Sequence, residues 1–174
     1  MLELSAKPIS HPDCCLSLST PLVTTLAGYL PEFPDLVLSI GSGSGLLERL
    51  LTARHPQLRI QGVEIQDVEG INKHLPEEDV FTVVGSIGSG VTCERASVAT
   101  AWMFVYPRTP LLVRNYVQRY GGDCVDIIIW LGPKSDWEDF APAFQSAAFE
   151  NPQEIMDCGL PAYETMVIVQ KKLR

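Results

Sequence analysis

Gly41, Gly43 and Gly45, spaced one residue apart by Ser42 and Ser44, form the stretch of this chain whose residue types and spacing point most directly to ligand chemistry. A glycine loop between a strand and a helix brings backbone N–H groups and the helix N-terminus close to a ligand, which is why nucleotide-like cofactors settle there. About twenty residues further on, Glu64 offers a carboxylate where ribose hydroxyls are received in such folds. The details of the loop count against several cofactors. A dinucleotide fingerprint needs a third small residue where Leu46 stands, and a P-loop needs a lysine that does not follow these glycines. Neither Ser42 nor Ser44 sits in a GxSxG frame, Ile40 occupying the first glycine position before Ser42, so a serine hydrolase elbow is excluded.

The elements around the loop alternate. Residues 36–40 are apolar apart from Ser39 and read as a strand buried on both faces, followed by leucines at helical spacing that run to His55 and Pro56. A short helix over residues 22–30 precedes that strand and ends at Pro31. Further strands are expected over 59–65, 80–84, 97–105 and 125–131, with room for a short helix before Pro76 and a helix over 110–120 closed by Gly121 and Gly122 in the left-handed manner of a helix terminus. A mobile glycine-serine loop is expected over 85–90, and a helix over 136–148 that carries Pro142. Residues 149–155 and 164–171 read as two strands too close in sequence for a crossover helix, hence antiparallel neighbours. Together these predict an α/β chain: a three-layer, mostly parallel sheet with an antiparallel strand at its C-terminal end.

With 174 residues, the chain suits a single domain over 1–174 in which residues 1–35 form a short N-terminal cap. It contains 46% hydrophobic residues but no apolar run of roughly 20 residues, so no membrane span is expected, and with no signal-like segment the expected location is the cytoplasm. A net charge of -8 and the lack of a basic stripe argue against nucleic acid. Five cysteines with no CxxC or Cys/His spacing argue against a disulfide framework and against a zinc site, and Cys14 and Cys15 read as reduced, small, buried or half-buried side chains.

At the glycine loop the sequence resembles a known family. Val37-Leu38-Ser39-Ile40-Gly41-Ser42-Gly43-Ser44-Gly45 looks like motif I of the class I S-adenosylmethionine (SAM) dependent methyltransferases, and Gly62-Val63-Glu64-Ile65 looks like their motif II. The resemblance spans about 36–170 and implies a Rossmann-like seven-stranded sheet whose last strand is antiparallel. It further implies that Gly41, Ser42, Gly43 and Gly45 meet the methionine end of SAM, that Glu64 binds its ribose and that Ser86 lies beside its adenine. Catalysis in such an enzyme is mainly alignment of a small organic acceptor with the methyl group.

Certain positions depart from the family pattern. The family carries an acid where this chain has Ser39 and often an aspartate where it has Ser86, and Tyr106-Pro107-Arg108 replaces the Asn/Asp-Pro-Pro-aromatic sequence of amino-methyltransferases. Only about 35 residues precede the first strand of the sheet, so the pocket is expected to be shallow or completed by a second copy in a homodimer. Tyr106 and Arg108, at the carboxyl edge of the sheet, and Trp130, which with Trp137 could wall an apolar pocket, are candidates to contact the substrate. His11 is the histidine in a segment able to fold over the pocket and is the candidate general base. The same departures leave open a non-methylating enzyme on this scaffold, such as a natural-product cyclase, or a methyltransferase-like binding subunit.

Overall fold

The computed structural model describes residues 3–66, 72–86 and 88–173. Two short strands, β1 (Ile9–His11) and β2 (Cys14–Leu18), form an antiparallel hairpin and lead into helix α1 (Thr20–Tyr29). There follow β3 (Val37–Ile40), α2 (Leu46–Arg54), β4 (Ile60–Ile65), β5 (Val80–Val83), β6 (Ala101–Val105), α3 (Pro110–Tyr120), β7 (Ile127–Pro133), α4 (Trp137–Phe140), β8 (Gln153–Ile155) and β9 (Glu164–Gln170). All strands from β3 onward join one seven-stranded sheet in the order β5-β4-β3-β6-β7-β9-β8. The pairings from β5 through β7 are parallel, and β9 runs antiparallel to both β7 and β8. This is the expected Rossmann-like arrangement. Strand order reverses at β3, which lies between β4 and β6, and in an open α/β sheet the crevice at that switch point is where ligands bind.

Alternation along the strands divides the core into two halves. Leu38, Ile40, Trp102, Phe104, Ile128 and Trp130 point to the side covered by α3 and α4, where Tyr116 packs edge-on against Trp102 and Phe104. Val37, Ala101, Met103, Ile127, Ile129 and Leu131 point to the side covered by α1, α2 and the hairpin. Ser39 shares the parity of Val37 and so faces α2. Among the described residues no helix is long and apolar enough to cross a membrane.

Helix α1 is set by Ser19, whose hydroxyl accepts the Leu22 N–H (3.1 Å) and donates to the Gly159 carbonyl (2.7 Å), while Pro21 occupies the first turn, where its missing N–H costs nothing. Gly159, at φ +84°, leaves no space for a Cβ, which would lie 2.5 Å from both Leu22 N and Ser19 Oγ. Ser19→Ala removes the cap and the tie to the β8–β9 loop together. It is expected to lower stability by about 1 to 2 kcal/mol in urea titration.

Several elements differ from the sequence expectation. The β1–β2 hairpin was not foreseen. The strand expected over 97–105 begins only at Ala101, because Glu94–Ser97 wind into a 3-10 turn. The helix expected over 136–148 is broken into a 3-10 turn, the four-residue α4 and a second 3-10 turn over Ala141–Phe144; Pro142 has no N–H to continue a helical ladder. Helix α3 ends at Gly121 as expected, but Gly121 is right-handed (φ -63°), and what favours glycine there is space, since a Cβ would lie 2.4 Å from the Val117 carbonyl oxygen. The short helix expected before Pro76 falls partly on 67–71, outside the described residues. Residues 72–75 form a turn in which Asn72 Oδ1 accepts the Leu75 N–H (2.9 Å) and its amide donates to the Leu75 carbonyl (2.8 Å).

Candidate functional site

Strand β3 ends at the switch point, and the three glycines after it turn at φ +76°, +57° and +77°, in the left-handed region that L side chains seldom adopt. A Cβ on Gly41 or Gly43 would meet nothing within 4 Å, so these two present bare backbone to open space. Gly45 is closed in instead: its Cβ would lie 2.8 Å from Leu75 Cγ. Two contiguous cavities open on this backbone, of about 260 and 410 Å³, sharing Cys15, Gly41, Gly43 and Val105 as walls. Together they lie within the size range of roughly 300–1,000 Å³ seen for small-molecule sites.

The first cavity runs along the carboxyl ends of β4, β5 and β6 and is walled by Glu64, Ile65, Val83, Tyr106 and Arg108 together with the 88–91 loop. Glu64 lines it from the end of β4. The carboxylate accepts the Gly43 N–H, tying the glycine loop to β4; burial raises its pKa above the ordinary glutamate value, opposed by the Gly43 and Ile65 amides and by the charge of Arg108. Apolar Val83, Val91 and Leu112 line the far side.

The second cavity lies between the glycine loop and the tip of the hairpin, walled by Pro12, Asp13, Cys14 and Cys15 from above and by Ser42, Leu47 and Glu48 from below. Asp13 pins this lid. Its carboxylate binds Lys73 Nζ (2.5 Å) and His74 Nε2 (3.1 Å), and its carbonyl accepts the Ser44 hydroxyl (2.5 Å). The hydrogen bond from Lys73, then that from His74, holds the Asp13 carboxyl below its usual range. Glu48, in the first turn of α2, is 1% exposed and accepts the Ser39 hydroxyl through Oε1 at 2.5 Å, while its Oε2 has no hydrogen-bond partner among the described residues. Desolvation pushes its pKa up to about 7.

A fourth carboxylate braces the hairpin. Glu164, 3% exposed at the start of β9, accepts the Ser17 N–H of β2 and the Tyr106 hydroxyl, the latter at 2.5 Å. Tyr106 itself sits at φ +48°, held there by its N–H to the Leu131 carbonyl (2.7 Å) and by Glu164. A bulky residue persists in that conformation only where its surroundings over-determine it.

Of the residues singled out in the sequence, Gly41, Gly43, Glu64, Tyr106 and Arg108 line the first cavity and Ser42 the second. Gly45 caps α2 and packs on Leu75. Three others lie elsewhere. Ser86 is exposed and lines neither cavity; Gly88, Ser89 and Gly90 form the wall expected of it. His11 lies in the hairpin, but its Nδ1 accepts the Asp13 N–H (3.1 Å) and it reaches neither cavity, the turn carrying Pro12 to Cys15 forward in its place. Trp130 is 1% exposed on the α4 side of the sheet, packed at a tilt against Trp137 and Phe140 at ring distances of 5.2 and 5.5 Å, so it is core. Its Nε1 has no partner among the described residues, and Trp130→Phe is expected to cost under about 2 kcal/mol while leaving any binding in the cleft unchanged by titration.

The sequence reading missed the hairpin tip, Glu48 and Glu164. Pro12-Asp13 was a readable turn signal, and Glu48, with Arg49 beside it, was a charge inside the leucine run of α2. Glu164 carried no signal, since its partners lie 147 and 58 residues away. Cys14 is half-buried, with its thiol pushed up to about 12 by burial, but Cys15 is exposed and faces both cavities.

No protein family and no curated protein matches the chain in sequence. Solved structures do match it in fold. SibL, a SAM-dependent methyltransferase in its apo form, superposes with a TM-score of 0.60 at 13% identity over 87% of this chain and 53% of its own. Human N-acetylserotonin methyltransferase, solved in complex with SAM, gives 0.56 at 14% identity over 88% of this chain and 51% of its own. The methyltransferase domain of bacterial CtHen1-C gives 0.57 at 13% identity over 87% and 97%. The chain thus spans about half the length of the first two and nearly all of the third, and the architecture it shares with them is the class I SAM-dependent methyltransferase fold.

Proposed function

We propose that this chain binds SAM across the two cavities and directs its methyl group to a small organic acceptor. The observation that carries the reading is the convergence of both cavities on the bare backbone of Gly41 and Gly43 at the switch point, with Glu64 on the adjacent strand. The residues present suit the cofactor. Glu64 is placed to receive ribose hydroxyls, the apolar wall of Val83, Val91 and Leu112 suits a flat base, and the space over Gly41 and Gly43 is what a Cβ would fill. Bound there, SAM supplies an electrophilic methyl on a cationic sulfonium, and the net charge of -8 favours a cation in the site.

On the acceptor side, Cys15, Val105, Tyr106 and Arg108 form the wall nearest the shared backbone. With His11 outside both cavities, no acid-base pair converges there among the described residues, so the protein's contribution is to position the acceptor and exclude water under the hairpin lid. An acceptor that is already nucleophilic fits such a site.

The test is calorimetric titration with SAM and with S-adenosylhomocysteine (SAH), repeated on Gly43→Val with thermal unfolding alongside to separate occlusion from misfolding. Binding that the folded variant loses, followed by transfer of a labelled methyl group in an acceptor screen, is the expected result. A folded wild-type protein that binds neither compound would remove the cofactor from the reading.

A further inference from the structure

The strand position where the family carries an acid is occupied here by Ser39, yet the space beneath the glycine loop is not without a carboxylate. Glu48 reaches it from α2. Its Oε1 takes the Ser39 hydroxyl, its Oε2 is buried with no partner among the described residues, and the side chain lines the second cavity next to Ser42 and Gly43. A carboxylate with one oxygen unsatisfied is costly to bury and is completed by a cationic donor.

We infer that Glu48, held by Ser39, is the group that receives the α-ammonium of the cofactor's amino acid end, the acid having moved from strand to helix in this chain. The inference rests on the SAM reading above. It fixes an orientation: the adenosine lies in the cavity along β4 and β5, and the amino acid end under the hairpin tip. It also couples binding to protonation. Without a cation beside it, burial favours the neutral form of Glu48, and an ammonium favours the ionised one, so loading the site at mildly acidic pH releases a proton. Among the described residues, the other charged or titratable groups near Glu48 are Cys14 on β2, Glu64 on β4, and Cys15, Asp13 and Lys73 at the cavity wall, the last two already paired with each other. Glu64 opposes a negative charge on Glu48, and a bound cation relieves that opposition; Cys14, its thiol pushed up to about 12 by burial, stays neutral beside it.

The experiment compares SAH with 5′-methylthioadenosine, which lacks the amino acid portion, on wild type, Glu48→Gln and the double variant Ser39→Asp/Glu48→Gln. Folding of each is checked by circular dichroism. Glu48→Gln is expected to weaken SAH by about 10- to 100-fold, the value of a charge-assisted hydrogen bond, and to leave methylthioadenosine unchanged. The double variant, with a carboxylate restored on the strand, is expected to regain SAH. Wild-type affinity for SAH should rise from about pH 6 to about pH 8 with proton release, and in Glu48→Gln that dependence should vanish. Unchanged SAH binding in Glu48→Gln would overturn the assignment while leaving the SAM reading intact. So would equal losses for both ligands, or a wild type that binds methylthioadenosine and not SAH. A wild type that binds neither ligand overturns both.

Discussion

Replacing Glu164 by alanine is expected to destabilise the protein by about 3 kcal/mol and to release the N-terminal hairpin before the sheet unfolds. The carboxylate is buried and accepts from two donors on different elements, the Ser17 N–H of β2 and the Tyr106 hydroxyl after β6. Hydrogen bonds to a charged acceptor are each worth about 1.5 to 3 kcal/mol, and removing the acceptor leaves both donors facing an apolar gap. Tyr106 would lose one of the two contacts that keep it at φ +48° and relax toward ordinary backbone, moving the wall it shares with Arg108. Urea titration reads the stability loss, and limited proteolysis reads the order of events through early cleavage between 6 and 18. Tyr106→Phe breaks one of the two bonds and should cost about half as much. An alanine variant with wild-type stability and an intact hairpin would show that Glu164 is not the brace.

What could be read in the sequence follows from how far each signal reaches along the chain. The glycine loop, β3 and α2 are contiguous, so the spacing of Gly41, Gly43 and Gly45 and the leucines after them carried both the local structure and the site. The parallel core strands β3 and β7 showed as continuous apolar runs because both faces of the sheet are covered. The broken segment after β7 misled because Trp137, Phe140 and Phe144 keep a helical spacing while Pro142 interrupts the hydrogen-bond ladder. Trp130 and Ser86 misled for another reason: a residue at the end of a strand can face the cleft, a helix or solvent, and only tertiary packing decides.

The site residues that escaped the sequence reading belong to long-range contacts. The lid over the second cavity is a hairpin tip pinned by Asp13 to a segment 60 residues later. Glu48 was hidden by its neighbours, because Leu46, Leu47, Leu50 and Leu51 mark that face of α2 as core and a glutamate among them reads as an exposed interruption. Only the pairing with Ser39, nine residues back on the strand, shows that the missing acid and the buried acid belong to one place. Motif comparison by position registers the loss of the first and cannot register the gain of the second.

That buried acid makes stability depend on pH in a direction opposite to that of a salt-bridged carboxylate. Glu48 titrates near 4.5 in an unfolded chain and at about 7 in the folded protein, where desolvation disfavours its charge. The folded state therefore holds a proton that the unfolded state has given up, and stability must fall as pH rises between these values. The contribution is complete below 4.5 and lost once pH has passed about 7, a difference of about 3 kcal/mol. Glu64, also raised by burial, adds to the same trend, whereas Asp13 and Glu154, both lowered by their partners, act only at more acidic pH. Urea titrations of the ligand-free protein at about pH 5 and about pH 8 should show wild type losing roughly that amount, and Glu48→Gln, which cannot ionise, losing much less. At the higher pH the variant should be the more stable of the two, although it is the one that binds SAH poorly. Equal pH dependence in both proteins would mean that Glu48 is hydrated and ionised in the folded state.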